Sequence, residues 1–360
     1  MSRGTRAVID LSALQHNFHL ARERAPYSQV LAVVKADAYG SGSVQVAEAL
    51  KDADSFGVAT FDEGLALRVA GITQPILLME GVMSARELEL AAEKQFQIVV
   101  HQPWQLDLLL QAQLASPLVV WLKADTGMHR LGLPVSECAT VAAQLQASTN
   151  VAEVRLMSHL ACADEAGHPL NHSQLDAFAA LMTTSGIQSG SLANSAGIFR
   201  GEGYHYQWVR PGLMLYGASP LLEASAETLN LRPVMQLESR IIAKSVVPRG
   251  GSVGYGATWT APEDTPVAVV AIGYGDGYPR HVSREAFVLI QGQRCPLAGR
   301  VSMDMLTVDI SAVPDVPIEA PVILWGNGLP VEWVAEWAGT VNYELLCQVT
   351  DRVRRVYRTA

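Results

Sequence analysis

Val30-Leu31-Ala32-Val33-Val34-Lys35-Ala36-Asp37-Ala38-Tyr39-Gly40 decides how this chain is read. Its first five residues form an apolar, largely β-branched run, the composition of a strand buried on both faces. Such strands belong to parallel sheets whose faces are covered by helices. Lys35 closes the run. In α/β barrels the C-terminal ends of the strands are where active sites assemble. Withdrawing an ammonium group from water disfavours its charged form and frees a lone pair for attack on a carbonyl. A Schiff-base lysine needs that property. The bland alternative is a lysine that caps the strand and reaches water, and Lys35 alone does not choose between them.

The pattern continues on both sides. Strand-like runs cover Val30–Lys35, Phe56–Thr60, Ile76–Glu80, Gln97–His101, Leu118–Lys123, Val154–His159, Ser191–Ser195 and Met214–Gly217. Amphipathic stretches lie between most of them: Ser43–Lys51, Glu63–Ala70, Ala85–Lys94 and Ser173–Thr183. A further helix, Ser12–Arg24, has Ser12 as its expected N-cap. Eight βα units predict a closed (β/α)8 barrel of the TIM type. Counting leaves a doubly wound sheet open. After about Pro233 the alternation gives way to short runs punctuated by Gly and Pro: Ser239–Val247, Val267–Ile272, Phe287–Ile290, Met305–Ile310 and Val322–Trp325. With two short helices, Val331–Ala338 and Tyr343–Val349, they predict a mostly β C-terminal domain. The expected division is 1–233 for the barrel and 234–360 for the second domain, which the first residues of the chain could join.

Composition narrows the function. The 360 residues are 49% hydrophobic and 17% charged, with a net charge of −9. Without a basic block, nucleic acid is not the expected partner. No stretch is long and apolar enough to span a bilayer. The N-terminus runs straight into Ala7-Val8-Ile9-Asp10 without a signal-like segment, and cytoplasmic location is expected. Cys138, Cys162, Cys295 and Cys347 lie far apart, form no metal-ligand pair, and suit a reducing compartment. No metal is expected.

Several strands end in a polar or charged residue: Lys35, Lys123 with Asp125 close behind, His159, and Asn194-Ser195; Arg210-Pro211-Gly212 lies beside the last run. Each alone is ordinary strand termination. Together they describe a cation-rich barrel mouth suited to an anionic ligand. A lysine in such a mouth suggests pyridoxal phosphate, which needs a Schiff-base lysine, phosphate donors and a partner for the ring nitrogen. Asn194-Ser195-Ala196-Gly197 and Gly212-Leu213 offer hydroxyl and backbone donors. Tyr39 and Tyr343 offer phenolic ones.

Seven stretches, in order over nearly the whole chain, resemble the alanine racemase family. They are Val33–Gly40, Leu122–Gly132, Ser158–Ala161, Val209–Gly217, Val253–Trp259, Gly273–Arg280 and Gly299–Asp304. The resemblance implies a barrel followed by a β domain and a racemase that interconverts L- and D-alanine with pyridoxal 5'-phosphate. It implies that Lys35 carries the cofactor and that Arg210 faces the pyridine nitrogen, supported by His159. Tyr39, Ser195, Gly212, Leu213 and Tyr343 are implied to hold the phosphate. Arg130 and the backbone of Met303 are implied to meet the substrate carboxylate. Tyr255 is implied to enter from the partner subunit, making the working unit a homodimer. Lys35 would serve as base toward D-alanine and Tyr255 toward L-alanine. In some relatives the lysine matching Lys123 is carbamylated; beside Arg130, an anion there relieves a like-charge pair.

The product would supply D-alanine for peptidoglycan, or the enzyme would act in alanine catabolism. Ser41 stands where histidine is frequent, and Ser302 where cysteine or alanine is. The competing expectations are a racemase of another small amino acid such as serine, a pyridoxal decarboxylase or aldolase on the same barrel, and a non-catalytic barrel that holds the cofactor. Arg210 and Tyr255 argue against the decarboxylase or aldolase, and the second domain and Tyr255 against the non-catalytic barrel.

Overall fold

A computed structural model describes residues 3–359. Eight parallel strands follow one another around a barrel: Gln29–Val33, Ser55–Val58, Ile76–Leu78, Phe96–Val100, Leu118–Asp125, Val151–Met157, Gly190–Ser191 and Trp208–Val209. The eighth returns to the first, with Trp208 opposite Gln29 and Val209 opposite Val30. The seam between the seventh and eighth has no regular ladder. Ser191 Oγ instead donates to Trp208 O at 2.8 Å, and Arg210 N donates to Ala193 O at 2.9 Å. The expected (β/α)8 barrel is therefore present and nearly closed.

The barrel is a packed core. Trp121 and Trp208 meet edge to face at 5.6 Å, and the Arg155 guanidinium lies over both rings at 5.3 and 4.6 Å. Trp121 satisfies its indole N–H by donating to Gln97 Oε1 at 2.7 Å, as a buried tryptophan must. With its base filled this way, the barrel leaves its free volume at the C-terminal mouth.

Three local expectations are corrected. Met214–Gly217 is not the eighth strand: Leu213–Tyr216 is a buried 3-10 turn, and the strand is Trp208–Val209. A short apolar run is buried in either form, so its composition does not separate the two. The first helix spans Leu11–Arg24 and is capped by Asp10, not Ser12; Asp10 Oδ1 accepts from Ser12 N and Ala13 N at 3.0 and 2.9 Å. The first barrel strand stops at Val33, so Lys35 opens the following turn rather than ending the strand.

The second domain is built on Met235–Val247, a strand long enough to pair with Arg6–Asp10 and Pro321–Trp325 and then with Thr265–Val270. Arg6–Asp10 also pairs in parallel with Arg354–Arg358. The chain thus begins in this sheet, crosses to form the barrel, and returns. The helices Val331–Ala338 and Asn342–Gln348 bring the second domain against the barrel mouth. There Gly40, at φ +73°, lies so close to Leu346 O that an added Cβ would sit 2.3 Å from it. Only glycine satisfies both the left-handed backbone and the close approach. Among the described residues, no helix is long and apolar enough to cross a membrane.

Candidate active site

A cavity of 1430 Å³ opens where the strand ends meet the second domain. Lys35, Tyr39, Lys123, Arg130, His159, Ser195, Arg210, Gly212, Leu213 and Tyr343 all line it. These sequence-predicted residues come from five strand ends and one second-domain helix. Tyr255 and Met303 do not line it; they lie on the second domain, 69% and 53% exposed.

Lys35 begins a turn unusual for L-amino acids. Ala36, Asp37, Ala38 and Tyr39 all have φ between 51 and 53°. Left-handed backbone costs about 1–2 kcal/mol per residue, so the turn needs external anchors. Asp37 supplies two: its carboxylate accepts from Ser43 N at 2.8 Å and its carbonyl from Gly42 N at 2.9 Å. At the far end Arg355 Nε donates to Gly40 O at 3.1 Å. Tyr39 is buried and stacks on Tyr216 with ring centroids 4.5 Å apart, and Tyr216 Oη donates to Val33 O at 2.9 Å. Burial drives the Tyr39 phenol well above its ordinary range, and Tyr343 is pushed up to about 12 by burial and then by Asp164. Both therefore remain protonated hydrogen-bond donors.

Arg210 is 2% exposed. Its Nη1 donates to Ser191 Oγ at 2.6 Å, and its Nη2 to Ser158 O at 2.6 Å and His159 Nδ1 at 3.3 Å. Its Nε has no partner within the chain although it is buried. A buried N–H left unpaired costs about 1–3 kcal/mol. On the wall of a ligand cavity, such a donor reads as reserved for the ligand. Burial lowers Arg210 to about 10, still cationic at neutral pH. Lys123 is pushed down to about 8 by burial, then by Arg210, Arg130 and Lys35.

Ser195 and Gly212 line the same cavity. Ser195 Oγ accepts from Gly212 N at 2.8 Å and Met214 N at 3.3 Å, which leaves its own proton free to donate. An added Cβ on Gly212 would sit 2.6 Å from Tyr39 Oη. Gly212 therefore keeps open the space between the tyrosine hydroxyl and the serine. Among the described residues, no group of three His, Cys, Asp or Glu could hold a metal. Ser158, Ser191 and Tyr216 escaped the sequence reading. Ser158 lies within a quoted motif, but its role runs through its backbone carbonyl, which carries no residue signal.

Pyridoxal phosphate fits these residues. The orphaned Arg210 N–H matches a ring nitrogen, the hydroxyls around Gly212 match a phosphate, and Lys35 supplies the amine. Fold and site together define a (β/α)8 enzyme whose mouth gathers lysine, arginine and tyrosine side chains beside a β domain.

The comparisons with known proteins agree. Residues 9–220 match the family "Alanine racemase, N-terminal domain" and residues 234–357 match "Alanine racemase, C-terminal domain". The alanine racemase of Nitrosococcus oceani is 50% identical over 97% of this chain and 98% of its own length. The crystal structure of the biosynthetic alanine racemase from Pseudomonas aeruginosa superposes with a TM-score of 0.96 at 46% identity, covering 99% of both chains. A structure of alanine racemase from Bartonella henselae with covalently bound pyridoxal phosphate gives a TM-score of 0.89 at 28% identity, covering 99% of both chains. This chain belongs to the alanine racemase family, and its reaction is the interconversion of L- and D-alanine. The serine racemase and non-catalytic readings are not favoured.

Proposed function

We propose that the racemase works with pyridoxal 5'-phosphate bound in the barrel mouth, with Lys35 and Tyr255 as its two bases. The observation that carries the cofactor assignment is Arg210: buried, on the cavity wall, with one N–H unpaired within the chain. The covalently bound cofactor of the Bartonella henselae relative supports it. When bound, the cofactor acidifies the Cα–H of the amino acid by withdrawing electrons from it.

Lys35 would hold the cofactor through Nζ and would take or return the Cα proton on its own face. Arg210 would hold the ring nitrogen and, having only N–H groups, could not accept a proton, so it would leave that nitrogen unprotonated. This moderates electron withdrawal and favours simple return of the proton over transamination. His159 braces Arg210. Tyr39, Ser195, Tyr343 and the backbone of Gly212 and Leu213 hold the phosphate. Arg130 orients the substrate carboxylate, and carbamylated Lys123 would give Arg130 an anionic neighbour.

Tyr255 and the backbone of Met303 come from a partner subunit. Their exposure, and their absence from the cavity lining, support a homodimer in which each barrel mouth is completed by the other chain. A tyrosine needs nearby cations to act as a base, and the mouth offers Arg130 and Arg210. Four free thiols suit a reducing, cytoplasmic setting for D-alanine supply or alanine breakdown. Borohydride reduction of the purified protein followed by peptide mapping tests the cofactor assignment. The label is expected on Lys35, and a label on any other lysine overturns the assignment.

A further inference from the structure

The left-handed run Ala36–Tyr39 begins directly after Lys35 and ends at Tyr39, so its geometry sets where both side chains point. Runs of this kind persist only where the surroundings over-determine them. The start of the run has one side-chain anchor: Ala36 N–H donates to Glu63 Oε1 at 2.7 Å. Glu63 belongs to a different element, the first turn of the helix Phe61–Val69. Its second oxygen accepts from Ala59 N at 2.7 Å and Thr60 N at 3.3 Å, while Glu63 N donates to Thr60 Oγ1 at 3.4 Å. That reciprocal pair is a capping box, and it accounts for Oε2 alone. The bond from Oε1 to the residue after Lys35 is not required for capping.

We propose that Glu63 is a positioning residue whose carboxylate fixes the Lys35–Ala36 peptide plane, and with it the direction in which Lys35 enters the cavity. This rests on the assignment of Lys35 above. The peptide plane turns with ψ of Lys35 and φ of Ala36, and a bond from its N–H to an anion holds both. Charge-assisted bonds of this kind are shorter and about twice as strong as neutral ones. The geometry is also economical: one carboxylate ties the turn after the first barrel strand to the end of the second strand, so the two neighbouring strand ends hold Lys35 as a unit. Glutamine keeps the size of Glu63 but turns one acceptor into an NH2, which must then face either Ala36 N–H or the cap.

The test compares Glu63→Gln, Glu63→Asp and Thr60→Ala in the full-length purified protein. The readouts are hydrogen exchange of the peptide spanning residues 35–40, near-visible absorbance of the bound cofactor, and kcat and KM for alanine. Thr60→Ala weakens the same cap without touching Ala36. It should lower Tm and leave exchange at 35–40, the absorbance and kcat within about twofold of the parent. Glu63→Gln should speed exchange at 35–40, shift the absorbance, and lower kcat about tenfold or more with little change in KM. Glu63→Asp keeps the charge and should recover part of the rate; if Glu63→Gln does not fold, Glu63→Asp decides by the same exchange and absorbance readouts.

Parental exchange and kcat in Glu63→Gln would overturn the proposal, as would an equal loss of kcat in Thr60→Ala. If borohydride labels Lys35 but Glu63→Gln is silent, the role of Glu63 falls alone. If another lysine is labelled while exchange at 35–40 still rises, the assignment of Lys35 falls instead.

Discussion

Arg210 Nη2 stands 3.3 Å from His159 Nδ1, and the direction of that hydrogen bond defines the charge state of the histidine. A guanidinium has only N–H groups and must donate, so Nδ1 offers its lone pair. His159 then carries a single proton on Nε2 and is neutral. Desolvation acts in the same direction, followed by Arg210, Lys123, Arg130 and Lys35, and together they hold His159 well below the usual imidazole range.

This neutral state has a pH signature. An unfolded histidine takes up a proton near pH about 6.5, while folded His159 does not. Its contribution to stability is therefore full above about 6.5 and is lost as pH falls toward its lower folded value. Tm should drop as pH is lowered from neutral into this range, and His159→Asn, which retains an acceptor for Arg210, should flatten the drop. His101 and His205 are also held low by burial, so the informative quantity is the difference between the two Tm–pH curves. Parallel curves would assign the acid loss to those other groups.

Lys123, at about 8, has a substantial neutral fraction near physiological pH. Its amine can attack CO2, forming an N–C bond and losing one proton to solvent, to leave a carbamate within the field of Arg210 and Arg130. Incubation with 13C-bicarbonate should give one carbamate resonance that strengthens as pH is raised through about 8. Lys123→Ala should lack it. No resonance in the parent above that pH would count against modification.

Gly212→Ala should weaken cofactor binding without unfolding the barrel. The new Cβ would meet Tyr39 Oη at 2.6 Å, and the Tyr39 ring is held against Tyr216. Pyridoxal phosphate affinity measured by titration should fall about tenfold or more, equivalent to about 1.4 kcal/mol, with Tm within a few degrees of the parent. Unchanged affinity would remove Gly212 and Tyr39 from the phosphate site.

What could be read from the sequence follows from how far each signal reaches along the chain. Strands such as Val30–Val34 and Ile76–Leu78 are legible because they are apolar on both faces, a local property. The eighth is not, since the apolar run Met214–Gly217 has the composition of a buried strand while the strand itself, Trp208–Val209, is a few residues earlier and only two residues long. The left-handed turn after Lys35 was invisible because no glycine occupies Ala36–Tyr39; contacts from Arg355 and Glu63 hold a conformation those residues do not favour. The site was legible where it consists of strand ends, because a barrel gathers those ends at one mouth. The bracing of Arg210 was not, because Ser158 and Ser191 meet it only in three dimensions.

The exposure of Tyr255 leads to a mixing test. Lys35→Ala and Tyr255→Phe should each be nearly inactive as homodimers. After subunit exchange, heterodimers hold one site with both bases intact, and activity should return to a fraction of the parent. Absence of recovery after verified exchange would argue that the bases do not meet across an interface.

The central claim is that two bases act on opposite faces of the same Cα: Lys35 toward D-alanine and the partner subunit's Tyr255 toward L-alanine. Exchange of the Cα proton in deuterated water, followed separately for each enantiomer in Tyr255→Phe, tests it most directly. Exchange from L-alanine should be nearly abolished. D-alanine should still exchange through Lys35 and return as deuterated D-alanine without inversion. Equal loss of exchange from both enantiomers, or racemisation at the parental rate, would contradict it.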